Sequence, residues 1–134
     1  LETAARRLRR ARKDGTDSSG PDAFEVFNDA QDHIVHAARA HTDRVVLEAF
    51  VAAIDGCDDA EVVQMLDTVC DLYALSVIEE DKAWFMEHNR LSTARAKAVT
   101  TTVNDLCRRL RPHALTLIDG FGIPESMLGA AILE

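Results

Sequence analysis

From Ala23 to Asp55 the chain contains neither proline nor glycine, and Phe24, Phe27, Ile34, Ala38, Val45, Ala49 and Ala52 recur at helical spacing. A stretch of that length with a 3.6-residue apolar period folds as a helix whose stripe must be covered by another element. It predicts one long helix over 23–55. Asp22 is placed to cap its free backbone donors, and Glu25 can reach back three residues in an acidic form of the capping box. Gly56 follows in the position where a left-handed residue is wanted.

The rest of the chain repeats this grammar. Asp58 or Asp59 caps a second long helix running to about Glu87. Its apolar residues (Val62, Leu66, Val69, Tyr73, Ile78, Phe85) wrap more than one face, which predicts the most buried element of the fold. His88 to Leu91 forms a turn, and Ser92 caps a third long helix through Leu110. Arg111-Pro112 breaks that helix, and Pro112 suits the first turn of a fourth, shorter one ending at Gly120 or Gly122. Ile123-Pro124-Glu125-Ser126 begins a last turn or tail. At the front, Thr3 to Lys13 reads as a short basic helix, followed by the breaker-rich loop 14–22. No stretch alternates apolar and polar residues long enough to make a strand. The expected fold class is therefore all-α: an antiparallel up-down bundle of about four helices, 23–134, behind a short basic N-terminal helix, 1–13. At 134 residues the prior is a single domain, 1–134, large enough to bury a core without disulfides or metal.

Charge narrows the function. The net charge is −8, a sign that repels phosphate backbones and anionic lipid, so neither nucleic acid nor membrane is expected as a partner. Arg6, Arg7, Arg9, Arg10, Arg12 and Lys13 stand against Glu2 alone in the first thirteen residues. That cluster reads as a solvated helix face docking on an acidic neighbour in preference to a nucleic-acid arm. Cys57, Cys70 and Cys107 are an odd number with no C-x-x-C pair, and read as small buried hydrophobes in a reducing compartment. No apolar run approaches a membrane span and no secretory signal is visible, so the expected location is cytoplasmic. The opening Leu1 without an initiator Met, and the closing Leu133-Glu134, suggest a piece of something longer.

Residue by residue, no catalytic centre is nominated. A di-iron bundle needs Glu-x-x-His on two helices, and no Glu stands three residues before any of the five His. His33 and His36, at i and i+3, read as a polar helix edge, and His41 as a core histidine with a hydrogen-bonded ring. Ser76 and the thiols lack a nucleophile elbow or paired base. Asp119-Gly120-Phe121-Gly122 reads as a helix stop. Trp84, with Phe85 and Phe50, reads as core. Glu79-Glu80-Asp81 reads as a solvated face able to pair with arginines elsewhere. Catalytic, cofactor-binding and metal residues are each set at none.

Two stretches go further. Val69-Cys70-Asp71-Leu72-Tyr73-Ala74-Leu75, continuing through Ile78-Glu79-Glu80-Asp81 to Trp84-Phe85, is followed at the right distance by Leu106-Cys107-Arg108-Arg109-Leu110-Arg111-Pro112-His113-Ala114 and Leu117 to Pro124. With Ala5 to Arg10, Phe24 to His33, Ala37 to His41, Val46 to Phe50 and Ile123-Pro124 to Leu128, this resembles the C-terminal helical domain of the FAD-dependent acyl-CoA oxidases over nearly the whole chain. The resemblance implies a parent flavoenzyme of fatty-acid β-oxidation. In that family a glutamate removes the α-proton of an acyl-CoA, the β-hydride passes to FAD, and oxygen reoxidises the flavin, yielding hydrogen peroxide and a trans-2-enoyl-CoA. The flavin-binding and glutamate-bearing domains precede the region seen here, so the implied role of this chain is structural and no family catalytic residue carries over. Its implied partners are the remainder of the enzyme and a dimer partner, and an exposed apolar face could drive self-association of the chain alone. Ile132-Leu133-Glu134 is not a peroxisomal address, which favours a bacterial, cytoplasmic parent. The rival expectation is a free-standing helical interaction or dimerisation module without catalysis.

Overall fold

A computed structural model describes Arg6, Arg9, residues 23–124 and Met127. Every element among them is helical: α1 (Ala23–Asn28), α2 (Gln31–Asp55), α3 (Ala60–Glu80), α4 (Lys82–Glu87), α5 (Thr93–Leu110), a 3-10 turn (Arg111–His113) and α6 (Ala114–Asp119). Among the described residues there is no strand, and the all-α expectation holds. Arg6 and Arg9 are helical, while the rest of the expected basic helix, the loop 14–22 and the Asp22 half of the capping box lie outside the described residues.

The chain divides into two compact units, 1–49 and 50–134. In the first, the single helix expected from Ala23 is interrupted at Asp29–Ala30. The Ala30 N–H turns back to Phe27 O at 3.1 Å, a tighter i to i−3 bond, before Ile34 N resumes the regular pattern onto Ala30 O at 3.0 Å. Asn28 and Asp29 explain the site of the break, since their short polar side chains compete with helical backbone pairing. Ala30 is buried at the interruption. The α2 helix continues across the boundary between the units to Asp55. Gly56 does not take the left-handed conformation expected of it. Its N–H still bonds Ala52 O at 3.1 Å, so it prolongs the right-handed helix by one position.

In the second unit the core is the antiparallel pair α3 and α5. The direction is fixed by two cross-links: Glu79 near the end of α3 meets Thr100 early in α5, whereas Thr68 meets Arg109 at the other end. Of the two candidate caps for α3 it is Asp59 that acts, its Oδ1 accepting from Glu61 N (2.9 Å) and Val62 N (3.2 Å). Ser92 caps α5 as expected, its Oγ accepting from Arg95 N at 3.3 Å.

One expectation for this unit is corrected. The second helix is not continuous to Glu87, because Asp81 leaves helical geometry and separates α3 from α4. The burial expected of α3 is spread over most of its length, with about two-thirds of its residues at least half-buried, whereas α5 concentrates its own in a few positions. Ala96, Val99, Leu106 and Leu110 of α5 are buried, while Thr68 is the buried residue of α3. The helix α5 is amphipathic and places one narrow stripe against its neighbour. By contrast the apolar residues of α3 lie on several faces, and residues such as Val63, Leu66 and Tyr73 are only half-buried.

After α4 the chain reverses through Asn89, whose φ of 55° is left-handed. Arg90 N bonds Phe85 O at 2.8 Å and Asn89 N bonds Met86 O at 3.1 Å, the two bonds of a Schellman closure. Asparagine is the residue after glycine best suited to that conformation. The fourth helix is shorter than its sequence span, since Pro112 is accommodated in the 3-10 turn and α6 occupies only Ala114–Asp119.

Candidate functional site

The interruption at Asp81 is held by a small polar cluster. The Lys82 ammonium donates to Glu79 Oε1 at 3.2 Å and to Thr100 Oγ1 at 2.8 Å, and the Thr100 hydroxyl donates to the same Glu79 oxygen at 2.7 Å. The Thr100 hydrogen bond first, and then Lys82, hold the Glu79 carboxyl below its ordinary value, against a partial loss of hydration that pushes the other way. Part of the Glu79–Asp81 run is therefore not a free solvated face. Glu79 is half-buried, and its partner is a lysine on the adjoining helix in place of an arginine. Burial first, with Asp71 and Asp67 behind it, pushes the Cys70 thiol up.

Toward the other end of the pair lies a cleft of about 510 Å³, lined by Glu61, Gln64, Met65, Thr68, Arg109, Leu110 and His113. The α3 residues recur at i, i+3, i+4 and i+7, a single helix face. Thr68, 7% exposed, forms its floor. Its hydroxyl donates to Gln64 O at 2.9 Å and accepts from Arg109 Nη2 at 3.4 Å. A sequence reading missed this cleft because a threonine inside a helix gives no sign that it will be buried beneath an arginine 41 positions away.

Several residues sit elsewhere than expected. His41 is exposed on α2, not in a core, whereas His33 is exposed as a polar helix edge should be. Cys107 is exposed, and Cys57 and Cys70 are only half-buried. Trp84 is 42% exposed, packing edge-on against Phe85 and stacking with His88 at a centroid distance of 4.2 Å. Phe50 pairs with Tyr73. The short helix α4 explains the outward Trp84, since six residues give too little surface to bury both aromatics. Among the described residues no three His, Cys, Asp or Glu side chains converge as metal ligands, and no helix is long and apolar enough to cross a membrane.

Several large apolar side chains after α5 point outward. Leu115 and Phe121 are each 76% exposed, with Ile118, Ile123 and Met127 also outward. Side chains of this size are close in sequence here, and contiguous exposed apolar patches are uncommon on soluble monomers.

The profile of the family described as acyl-CoA oxidase matches residues 2–132. The chain belongs to the acyl-CoA oxidase family. It is 31% identical over 117 residues to peroxisomal acyl-coenzyme A oxidase 2 of Mus musculus, covering 85% of this chain and 17% of that protein. Acyl-coenzyme A oxidase 2, peroxisomal, of Arabidopsis thaliana is 29% identical over 109 residues, 81% of this chain and 16% of the relative. An acyl-coenzyme A oxidase-like protein of Mus musculus is 28% identical over 109 residues, again 81% of this chain and 17% of the relative. The chain thus spans about one-sixth of the length of these curated relatives. No solved structure matches.

These names overturn the cytoplasmic expectation, because relatives from mouse, Arabidopsis and Phascolarctos cinereus are all named peroxisomal. That expectation rested on thiol chemistry, on the lack of a span or leader, and on Ile132-Leu133-Glu134 not being a peroxisomal address. The first two do not separate cytosol from peroxisome, where a short receptor-read address decides the destination, and the third carries no weight in a chain that spans about one-sixth of its relatives. The same relatives are eukaryotic and lend no support to a bacterial parent.

The described residues do not fit a flavin. The α3/α5 cleft counts the Glu61 carboxylate among its lining beside one guanidinium, that of Arg109, a donor set poorly suited to the two negative charges of the FAD pyrophosphate. No glycine-rich turn opens a long helix here to receive phosphates.

Proposed function

We propose that this chain is the C-terminal structural domain of an acyl-CoA oxidase, with residues 1–134 acting as one helical domain that braces the catalytic parts of the enzyme and its dimer partner. The parent oxidises an acyl-CoA to the trans-2-enoyl-CoA using FAD, in peroxisomal fatty-acid β-oxidation, as the names of its relatives suggest. Flavin and acyl-CoA are held by parts of the enzyme outside this chain. No residue here touches the reacting atoms.

The observation that carries this reading is the family match over 2–132 combined with an α3 helix whose apolar residues lie on several faces and are mostly only half-buried. A helix of that kind is stable only when further protein surrounds it. The test is an absorbance spectrum and a peroxide-coupled acyl-CoA oxidation assay on the intact parent, beside the isolated chain. A yellow, peroxide-producing parent with a colourless, inert chain is expected. A parent with neither flavin absorbance nor turnover would sink the reading.

A further inference from the structure

The α3/α5 cleft gathers charges of both signs that do not neutralise each other. Arg109 and His113 line it from α5 and the 3-10 turn, Glu61 and Gln64 from α3. Arg109 gives one guanidinium N–H to Thr68 at 3.4 Å. That anchor is firm, because Thr68 is 7% exposed and its hydroxyl is itself tied to Gln64 O. Arg109 forms no ion pair with Glu61, and the side chains of Glu61, Gln64 and His113 hydrogen-bond no other described residue. Most of the guanidinium donors therefore remain available to the cleft. Thr68 and Glu61 stand two turns apart on one face of α3, about 10 Å along the axis. Met65 lies between them along α3, and Leu110 of α5 adds a second apolar group to the lining.

A ligand that matches this lining carries a carboxylate at one end, an ammonium at the other and an apolar chain between. We propose that the α3/α5 cleft binds a small extended zwitterion, its carboxylate on Arg109 and its ammonium on Glu61. The guanidinium offers the carboxylate a planar fork of donors, and the methylene chain covers Met65 and Leu110. The Gln64 amide and the His113 ring can each donate or accept, so they complete the hydrogen bonding of either end. An α-amino acid fits poorly, because its two charges share one carbon and cannot span two helical turns. A simple anion such as phosphate meets Glu61 in the same lining and the −8 field of the whole chain, whereas a net-neutral ligand is not repelled by that field. A cleft of about 510 Å³ is of the size that small-molecule sites have. The site stands apart from the flavin reaction of the proposed function and needs neither flavin nor turnover to be tested.

The test titrates three probes into the isotope-labelled chain at neutral pH and follows its amide NMR shifts. The probes are ε-aminocaproate, which carries both charges, caproate, which carries the carboxylate alone, and hexylamine, which carries the ammonium alone. Saturable shifts for ε-aminocaproate are expected on Glu61 to Thr68 and Arg109 to His113, with a Kd of about 1 mM, the scale for so small a ligand. Caproate and hexylamine should each bind at least about tenfold more weakly, since each leaves one charge of the cleft unanswered. Glu61→Gln and Arg109→Gln alter exposed side chains, and a dispersed spectrum verifies that each variant folds. Each should weaken ε-aminocaproate at least about fivefold, while Glu61→Gln should not weaken caproate. Lys97→Gln, on α5 outside the cleft lining, should change nothing. No saturable shift by about 20 mM, an affinity too weak for a built site, overturns the proposal. Caproate or hexylamine binding as tightly as the zwitterion also overturns it, as do cleft variants that bind like wild type.

Discussion

Asn89 shows how one residue can decide a chain reversal. Its left-handed φ closes α4, and the Arg90 and Asn89 amides both depend on that conformation. Asn89→Ala should cost about 1 kcal/mol in urea unfolding, because a Cβ without a local hydrogen-bonding group is disfavoured there. Asn89→Gly should be nearly neutral. Gly56 is the converse case. It keeps right-handed geometry, and a Cβ added there would meet Ala52 O at 3.4 Å, an ordinary contact. Gly56→Ala is therefore expected to stabilise the chain by about 0.4–1 kcal/mol, chiefly by restricting the unfolded state. Glu79 carries a pH dependence whose sign is set by its lowered folded value. Below about 4.5, the ordinary value, the unfolded chain takes up the proton more readily than the folded one. The stabilisation is complete above that pH and is lost as pH falls through the lower folded value. Urea midpoints measured between pH 3 and 6, a range chosen around the usual glutamate titration, should fall less steeply for Glu79→Gln than for the wild type.

At the scale of elements, α3 and α5 stand on different supports. The start of α3 relies on Asp59, so Asp59→Ala should remove about 1 kcal/mol, seen as a lower urea midpoint with unchanged slope. The contribution of α5 is its buried stripe. Leu106, 4% exposed, is its deepest residue, and Leu106→Ala should cost about 2–4 kcal/mol. That is a large share of the stability of a unit with so few buried side chains, and loss of cooperative unfolding is the measurable sign. The exposed ion pairs Arg44–Glu48 and Arg108–Asp105 lie along single helices and each contribute little.

At the scale of the whole molecule, the outward Leu115, Ile118 and Phe121 bear on function. Changing Leu115 and Phe121 to Gln should leave the unfolding midpoint of the isolated chain within about 0.5 kcal/mol of wild type, since both side chains already face solvent. In the intact parent the same pair should lower thermal stability clearly if that surface is covered there. Equal behaviour in chain and parent would show that it is not.

Helix existence was legible in the sequence because capping chemistry and the 3.6-residue period are local. Ser92 and Asp59 act where their side chains alone place them, and Pro112 ends α5 because it has no N–H to give. The family was legible for the same reason, since the order of helix-specific residues survives along the chain. Burial was not. Whether His41, Trp84 or Cys107 lies inside depends on which helix stands opposite, and periodicity gives a face without naming its neighbour. Nor could the Thr68–Arg109 cleft or the Glu79–Lys82–Thr100 cluster be read from spacing, because each joins residues that only the antiparallel packing of α3 on α5 brings within hydrogen-bond distance. The sequence by itself determined where helices start and stop. The tertiary structure decided which of their faces are covered, because burial belongs to pairs of elements and not to either one alone.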